Sequence, residues 1–276
     1  MNNPILSIVI LSFNTKEVLA QCLDSLKKLI QELSFEVIVI DNASSDGSLE
    51  MLASKYTWVR SYQNEINLGF AAGNNIARKY VKGEYILFLN SDTVIYSGAL
   101  SKTFDFISAR DDVGAVTCKL LLSSGKPDLD ARRSFPTPWV ALTHFSYLDR
   151  LFPTSRLFSR YWYGYLPSNK THEVDSLEGA YCLARKKVLD EVGWFDETYF
   201  LDGEDIDLCW KIKNAGYKIY YYPDVWITHF KGISKGKTLT SVKKSNRLKF
   251  VTKGVDSMEI FYRKHIASNY PIMLNF

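Results

Sequence analysis

The chain lacks most of the features that would assign its class at a glance. Its 276 residues hold only four cysteines, Cys22, Cys118, Cys182 and Cys209. They stand far apart with no CxxC pair, so neither a zinc site nor a redox motif is supported, and free thiols in a reducing, cytoplasmic setting are expected. No apolar run reaches membrane-spanning length, and the Ser7–Leu11 run is too short for a signal-peptide core. A net charge of +4 with ordinary glycine and proline content gives no sign of disorder. Nucleotide-binding signatures are missing too. The glycines of Asn67–Asn75 do not follow GxGxxG, and no P-loop Lys-Ser/Thr is present. No Gly-x-Ser-x-Gly elbow suggests a hydrolase triad, and no basic glycine-rich loop follows the first apolar run, which disfavours a nucleotidyltransferase.

What is present is alternation. Ser7–Leu11 reads as a buried strand, and residues 17–33 place Val18, Leu19, Cys22, Leu23, Leu26, Leu29 and Ile30 on one helical face. Strands are expected over 36–40, 58–62 and 85–89, with helices over 48–55 and 70–81. Further on, strands are expected over 177–184 and 218–222, and a helix over 186–192. Strand, helix, strand, helix marks βαβ units and a mostly parallel sheet, whose ligands sit beyond the carboxyl ends of the strands. That rule singles out Ser12-Phe13-Asn14, Asp41-Asn42 and Asn90-Ser91-Asp92-Thr93.

A second concentration of chemistry lies at Asp202-Gly203-Glu204-Asp205-Ile206-Asp207, where four carboxylates crowd an apolar, aromatic segment. Such crowding is expected to raise at least one carboxyl pKa, as for a general base, while acids opening a helix are an equally ordinary cap. The irregular middle, 121–176, carries Arg132 and Arg133, able to grip phosphate, and a run of aromatics. His229 stands alone in Trp226–Gly232. From Lys231 onward the chain is basic with interspersed apolar residues. This pattern fits either an anionic membrane surface or a solvated helix face packed on the domain.

In their order, the segments 7–14, 37–48, 67–75, Phe88–Thr93, Gly179-Ala180, Gly193–Glu197 and Gly203–Leu208 resemble glycosyltransferase family 2, the inverting GT-A enzymes, with the nearest likeness to rhamnosyltransferases. The resemblance implies an α/β, GT-A type fold: a mostly parallel, Rossmann-like sheet with helices on both faces, an irregular acceptor-side region and a basic C-terminal helical tail. It implies a catalytic domain over 1–234, with a nucleotide-sugar half over 1–120 and an acceptor half over 121–234, and an extension over 235–276.

The resemblance also implies roles. Phe13 would stack on the base and Asp41 would accept from its ring N–H, which suits uracil or thymine. Gly69, Asn74, Ser91, Asp92, Arg132, Arg133 and Gly179 would line the nucleotide-sugar site. Asp92 would bind the metal, Mg²⁺ or Mn²⁺, with His229 compensating for Asn90 where the motif's first Asp is missing. Asp205 would be the base, and Glu204 would orient the acceptor or raise the Asp205 pKa. The implied donor is dTDP-rhamnose first and a UDP-hexose second. The implied acceptor is a saccharide on a lipid carrier or growing polysaccharide, reached by peripheral contact with the cytoplasmic leaflet; no nucleic acid is involved. A catalytically silent sugar-nucleotide-binding module is the alternative of a different class.

Overall fold

The computed structural model describes residues 4–232 and 256–270. The chain opens with β1 (Leu6–Ser12), α1 (Lys16–Lys27), β2 (Phe35–Asp41), α2 (Ser48–Lys55), β3 (Arg60–Gln63), α3 (Gly69–Asn75) and β4 (Tyr85–Asn90). Along β1, Leu6, Ile8, Val9 and Ile10 are all fully buried, so both faces of this strand are covered. That is why it reads as a continuous apolar run rather than as an alternation. β3, β2, β1 and β4 lie side by side, every ladder among them parallel, with Ser12 opposite Asp41 and Leu11 opposite Asn90. Three strand ends therefore open onto one edge.

The second half is mixed. It runs β5 (Thr93–Ile95), α4 (Ala99–Ser108), β6 (Val113–Leu122), α5 (Pro138–Phe145), α6 (Leu148–Leu151), β7 (His172–Glu173), β8 (Tyr181–Arg185), α7 (Lys186–Val192), α8 (Glu204–Asn214) and β9 (Lys218–His229). The sheet order is β3-β2-β1-β4-β8-β6-β9-β5, with β7 also on β9. β8 runs antiparallel to both β4 and β6, whereas β6 and β9 form a long parallel ladder. Counted by paired residues the sheet is mostly parallel, as expected.

Some boundaries differ from the sequence reading. α1 stops at Lys27, well before residue 33, because the chain must turn back across the sheet to start β2. Leu29 still packs inward, but Ile30, expected on the buried face, is exposed. The helix expected over 70–81 tightens after Asn75 into a 3₁₀ turn, Ile76–Lys79. The strand expected over 177–184 begins only at Tyr181, and the one over 218–222 runs on to His229.

Gly203 precedes α8 at φ +92°, and a Cβ there would press on Tyr199 and Ser257. The N-cap residue is Gly203, without a side chain to cap the helix, and Glu204, Asp205 and Asp207 form its first turn. Ser257 belongs to a helical segment, 256–269, that seats Phe261 and Ile266 against Tyr199 and Ile206. This part of the expected tail thus packs on the domain. The basic residues Lys235, Lys237, Lys243, Lys244, Arg247, Lys249 and Lys253 lie outside the described residues. Among the described residues no helix is long and apolar enough to cross a membrane.

Candidate active site

The ends of β1, β2 and β4 are tied together by small polar groups. The Asn42 N–H donates to the Ser12 carbonyl (2.8 Å), and Thr15 bridges the Ser12 and Ser91 hydroxyls at 2.9 and 3.0 Å. Asn42 clamps the loop before α3. Its amide nitrogen reaches Asn67 and the Gly69 carbonyl, both at 3.0 Å, and its oxygen accepts from Asn64 and the Leu68 N–H. Asp41 is fully buried. Its Oδ1 accepts the Ser44 N–H (2.8 Å), and its Oδ2 has no hydrogen-bonding partner among the described residues. A buried acceptor left open is costly unless a ligand donor fills it. Phe13, one residue beyond the Ser12–Asp41 pair, leaves its ring 37% exposed next to it.

Two residues of the expected nucleotide-sugar set are engaged in packing. Gly69 (φ +82°) lets Phe200 approach: a Cβ there would lie 2.3 Å from the Phe200 carbonyl, which accepts the Phe70 N–H. Asn74 is buried and donates back to the Phe70 carbonyl of its own helix (2.9 Å).

The second half brings charge. Thr93 pairs with His229 across β5 and β9, which sets His229 beside Asp92. His229 Nε2 is 3.4 Å from Asp92 Oδ1 and equally far from the Asn90 amide, while Nδ1 is 3.3 Å from Asp128 Oδ2. Glu178 joins them; one ligand atom each from Asp128, Glu178 and His229 fall within 4.8 Å of one another. Burial works against a charged His229, yet its bonds to Asp128 and Asp92 prevail and lift its pKa to about 10. Burial also lifts Glu178, to about 7, against the pull of His229 and Lys231. Lys231 Nζ reaches Asp128 (2.7 Å), Asp130 (2.5 Å) and Glu178 (3.6 Å).

The donor set fits a divalent cation. An imidazole nitrogen and a carboxylate oxygen 3.4 Å apart are near the about 3 Å separation of adjacent ligands at roughly 2.1 Å from one ion. Asp128 on the opposite ring nitrogen fixes the imidazole's orientation.

Asp205 stands on the other side of this network. Its Oδ2 accepts from Arg133 (2.6 Å) and from the Gly179 N–H (3.3 Å), and its Oδ1 from the Ile206 N–H (2.8 Å). Burial opposes the Arg133 charge, but Asp205 first, then Tyr161, Asp130 and Glu178, holds the guanidinium protonated. Glu204 is buried beside it.

The surroundings of these charges differ from the sequence reading. What faces Asp205 is the cation Arg133, so like-charge crowding is not its main environment. Asp205 and Asp207, two residues apart on a helix, diverge, and Asp207 is bound to His265 (2.6 Å), Lys264 and Lys211 behind α8. Burial also raises a carboxyl outside the acidic run, that of Glu178, to about 7. Both arginines have protein partners in this structure. Arg133 is engaged with Asp205, and Arg132 packs over the Tyr221 ring and bonds His172 (3.0 Å) and the Leu166 carbonyl.

Asp128, Asp130 and Glu178 escaped the sequence reading, and Lys231 was read only as the start of the basic tail. The signals were the Asp-x-Asp spacing of 128–130, the acid directly before Gly179-Ala180, and a lysine two residues beyond His229.

Comparison with known proteins gives the site its context. Among curated relatives, rhamnosyltransferase WbbL of Escherichia coli K12 is 27% identical over 222 residues, covering 75% of this chain and 79% of its own. An N-acetylglucosaminyl-diphospho-decaprenol L-rhamnosyltransferase of Mycobacterium tuberculosis is 26% identical over 245 residues, covering 84% and 78%. A poly(ribitol-phosphate) beta-glucosyltransferase of Bacillus spizizenii is 39% identical over 106 residues, 37% of this chain but only 17% of that protein. In fold, the chain is similar to S. aureus TarS 1-349 (TM-score 0.57, 18% identity, 94% and 73% coverage). It is equally similar to the mannosyltransferase PcManGT of Pyrobaculum calidifontis, solved with GDP-Man and Mn²⁺ (TM-score 0.57, 16% identity, 99% and 78% coverage). These neighbours share the GT-A architecture expected from the sequence. The family model for glycosyl transferase family 2 matches residues 7–193, well over half of the 276, and the chain belongs to that family.

Proposed function

We propose that this chain transfers a hexosyl group with inversion, from dTDP-L-rhamnose or, as second choice, a UDP-hexose, to a saccharide on a lipid carrier. The observation that carries this reading is the continuous charged network. It leads from Asp205 through Arg133, Asp130, Lys231, Asp128 and Glu178 to His229 and Asp92. Such a network supports a base and a metal-competent pole acting on one substrate. Rhamnosyltransferases among the relatives favour the rhamnose donor, and the decaprenol-linked substrate named for one of them favours a lipid-linked acceptor.

The geometry supports the following steps. Phe13 stacks on the base and the open Asp41 Oδ2 accepts its ring N–H. Uracil and thymine offer the same donor there, and UDP is the ligand of one TarS structure. Arg133 and the Gly179 N–H hold Asp205 still at the site, where it takes the acceptor hydroxyl proton. The oxygen attacks the anomeric carbon from the face opposite the nucleotide, and the breaking C–O electron pair leaves with the diphosphate. Asp92 and His229 would hold a divalent cation, which when bound would supply charge to stabilise that leaving group. Lys231, still 36% exposed, is the cation this chain itself turns toward the same pole.

Calorimetric titration with dTDP, UDP and GDP, each with and without Mn²⁺, tests the reading. It expects dTDP to bind more tightly than GDP and to weaken without metal. Absence of binding to every nucleotide would favour the silent-module alternative.

A further inference from the structure

The most exposed apolar surface in the described structure lies on α5, α6 and the turns around them. In α5, α6 and the turns after them, Leu142 (57%), Phe145 (77%), Tyr147 (59%) and Leu151 (69%) stand in solvent, with Trp139 and Leu157 beside them. These rings and chains are held rather than dangling. The Trp139 indole donates to the Leu157 carbonyl (2.9 Å) and lies near the Phe158 ring, which also meets Phe152. A soluble domain gains nothing by presenting so many large apolar groups together.

The charge around them is one-sided. Between Asp130 and Glu173 the sequence holds a single acid, Asp149, and it is buried against His144 (2.7 Å). Arg150, Arg156, Arg160 and Lys170 are all exposed there, Arg150 lying over the Tyr147 ring. Protruding Leu and Phe, amphipathic Trp and Tyr, and long cations with no exposed acid match the layers of an anionic bilayer: apolar chains inside, phosphate at the surface. A soluble polyanion would use the cations but leave the leucines and Phe145 without a partner.

The surface also leads to the site. His144 of α5 packs its ring on Tyr161 (4.5 Å) and Trp162 (4.7 Å). The Trp162 indole donates to Asp130 (3.1 Å), and Tyr161 lies against Arg133, the partner of Asp205.

We infer that the α5–α6 face docks this protein on an anionic lipid bilayer. This deepens the lipid-linked acceptor reading, on which it rests: the carrier stays in the bilayer while its sugar reaches Asp205. The expected contact thereby falls on a structured face inside the catalytic domain as well as, or instead of, the basic tail.

The test is flotation of the full chain with phosphatidylcholine vesicles, with and without phosphatidylglycerol, at low and high salt. Wild type floats with the anionic vesicles at low salt. The pair Phe145→Ser with Leu151→Ser weakens partitioning by about tenfold or more at either salt. The pair Arg150→Glu with Arg156→Glu abolishes the preference for phosphatidylglycerol. Nucleotide titration and sedimentation velocity accompany each variant. Loss of flotation with unchanged nucleotide affinity supports the docking face. Failure of wild type to float, or variants that float like wild type, overturns it. Variants that dissociate an oligomer without any vesicle binding assign the face to a second copy and also overturn it. Because nucleotide binding is read separately, a protein that floats yet binds no nucleotide would sink the proposed reaction and not the docking.

Discussion

The parallel strands β3-β2-β1-β4 and the mixed strands β8-β6-β9-β5 meet along the β4–β8 ladder, yet the polar groups they bring to the site differ in kind. The parallel side supplies hydroxyls, amides, one aromatic ring and the open oxygen of Asp41, groups suited to reading a flat, uncharged base, and beyond β4 the one carboxylate, Asp92, that meets His229. The mixed side supplies Asp128, Asp130, Arg133, Glu178, Asp205, His229 and Lys231, interlocked by charge. Under the proposed function, one side would recognise the base and the other would handle a departing diphosphate and a proton. If this division is right, substitutions should separate binding from turnover according to the half in which they fall.

The largest separation is expected at Asp205. Asp205→Asn should lower kcat by about 10²–10⁴-fold, the usual worth of a general base, with nucleotide affinity unchanged. Chelation of divalent cations should cost about 10²-fold or more in turnover, restored by Mn²⁺ or Mg²⁺ in an assay of sugar transfer. On the parallel side, Phe13→Ala should weaken nucleotide binding by about 1–3 kcal/mol, the worth of one base–aromatic stack, with kcat at saturating donor little changed. Asp128→Asn should weaken metal binding by about 10–100-fold, since it removes the group that orients His229; a metal titration followed by calorimetry checks this.

The smallest expected effect is a slope. In chelated protein the His229 pKa is raised from 6.5 to about 10, so the folded state binds the extra proton. That contribution to stability is complete below about pH 6.5 and is lost as pH rises to about 10. Glu178, raised from 4.5 to about 7, adds a loss of the same sign at lower pH. The melting temperature of the chelated protein should therefore fall from mildly acid to alkaline pH, and His229→Gln should flatten the upper part of that fall.

The same division explains what could be read from the sequence. β1, β2 and β4 are buried on both faces, so their apolar runs were plain, and the residues just past them, Phe13, Asp41 and Asp92, followed from the strand-end rule. The helices over 48–55 and 186–192 were legible to the residue. The other half hides its logic. Asp128 and Asp130 come from a loop after β6, Glu178 from the turn before β8 and Lys231 from beyond β9, and only the β6–β9 ladder and the bulge-broken register bring them together. Periodicity carries no trace of such contacts. Arg133 was visible as a cation, but its partner was not: the salt bridge to Asp205 spans 72 residues, and the neighbouring Arg132 was equally eligible. Asp207 illustrates the converse, for it shares the acidic run with Asp205, yet its partners His265 and Lys264 lie almost sixty residues on.

The most direct test of the division sets Asp205→Asn and Phe13→Ala side by side, measuring nucleotide affinity by calorimetry and sugar transfer in a single turnover. The account predicts a crossed result: Asp205→Asn binds nucleotide like wild type and transfers sugar about 10²–10⁴-fold more slowly, while Phe13→Ala binds weakly and transfers at near the wild-type rate once saturated. An Asp205→Asn protein that transfers sugar at the wild-type rate would contradict it.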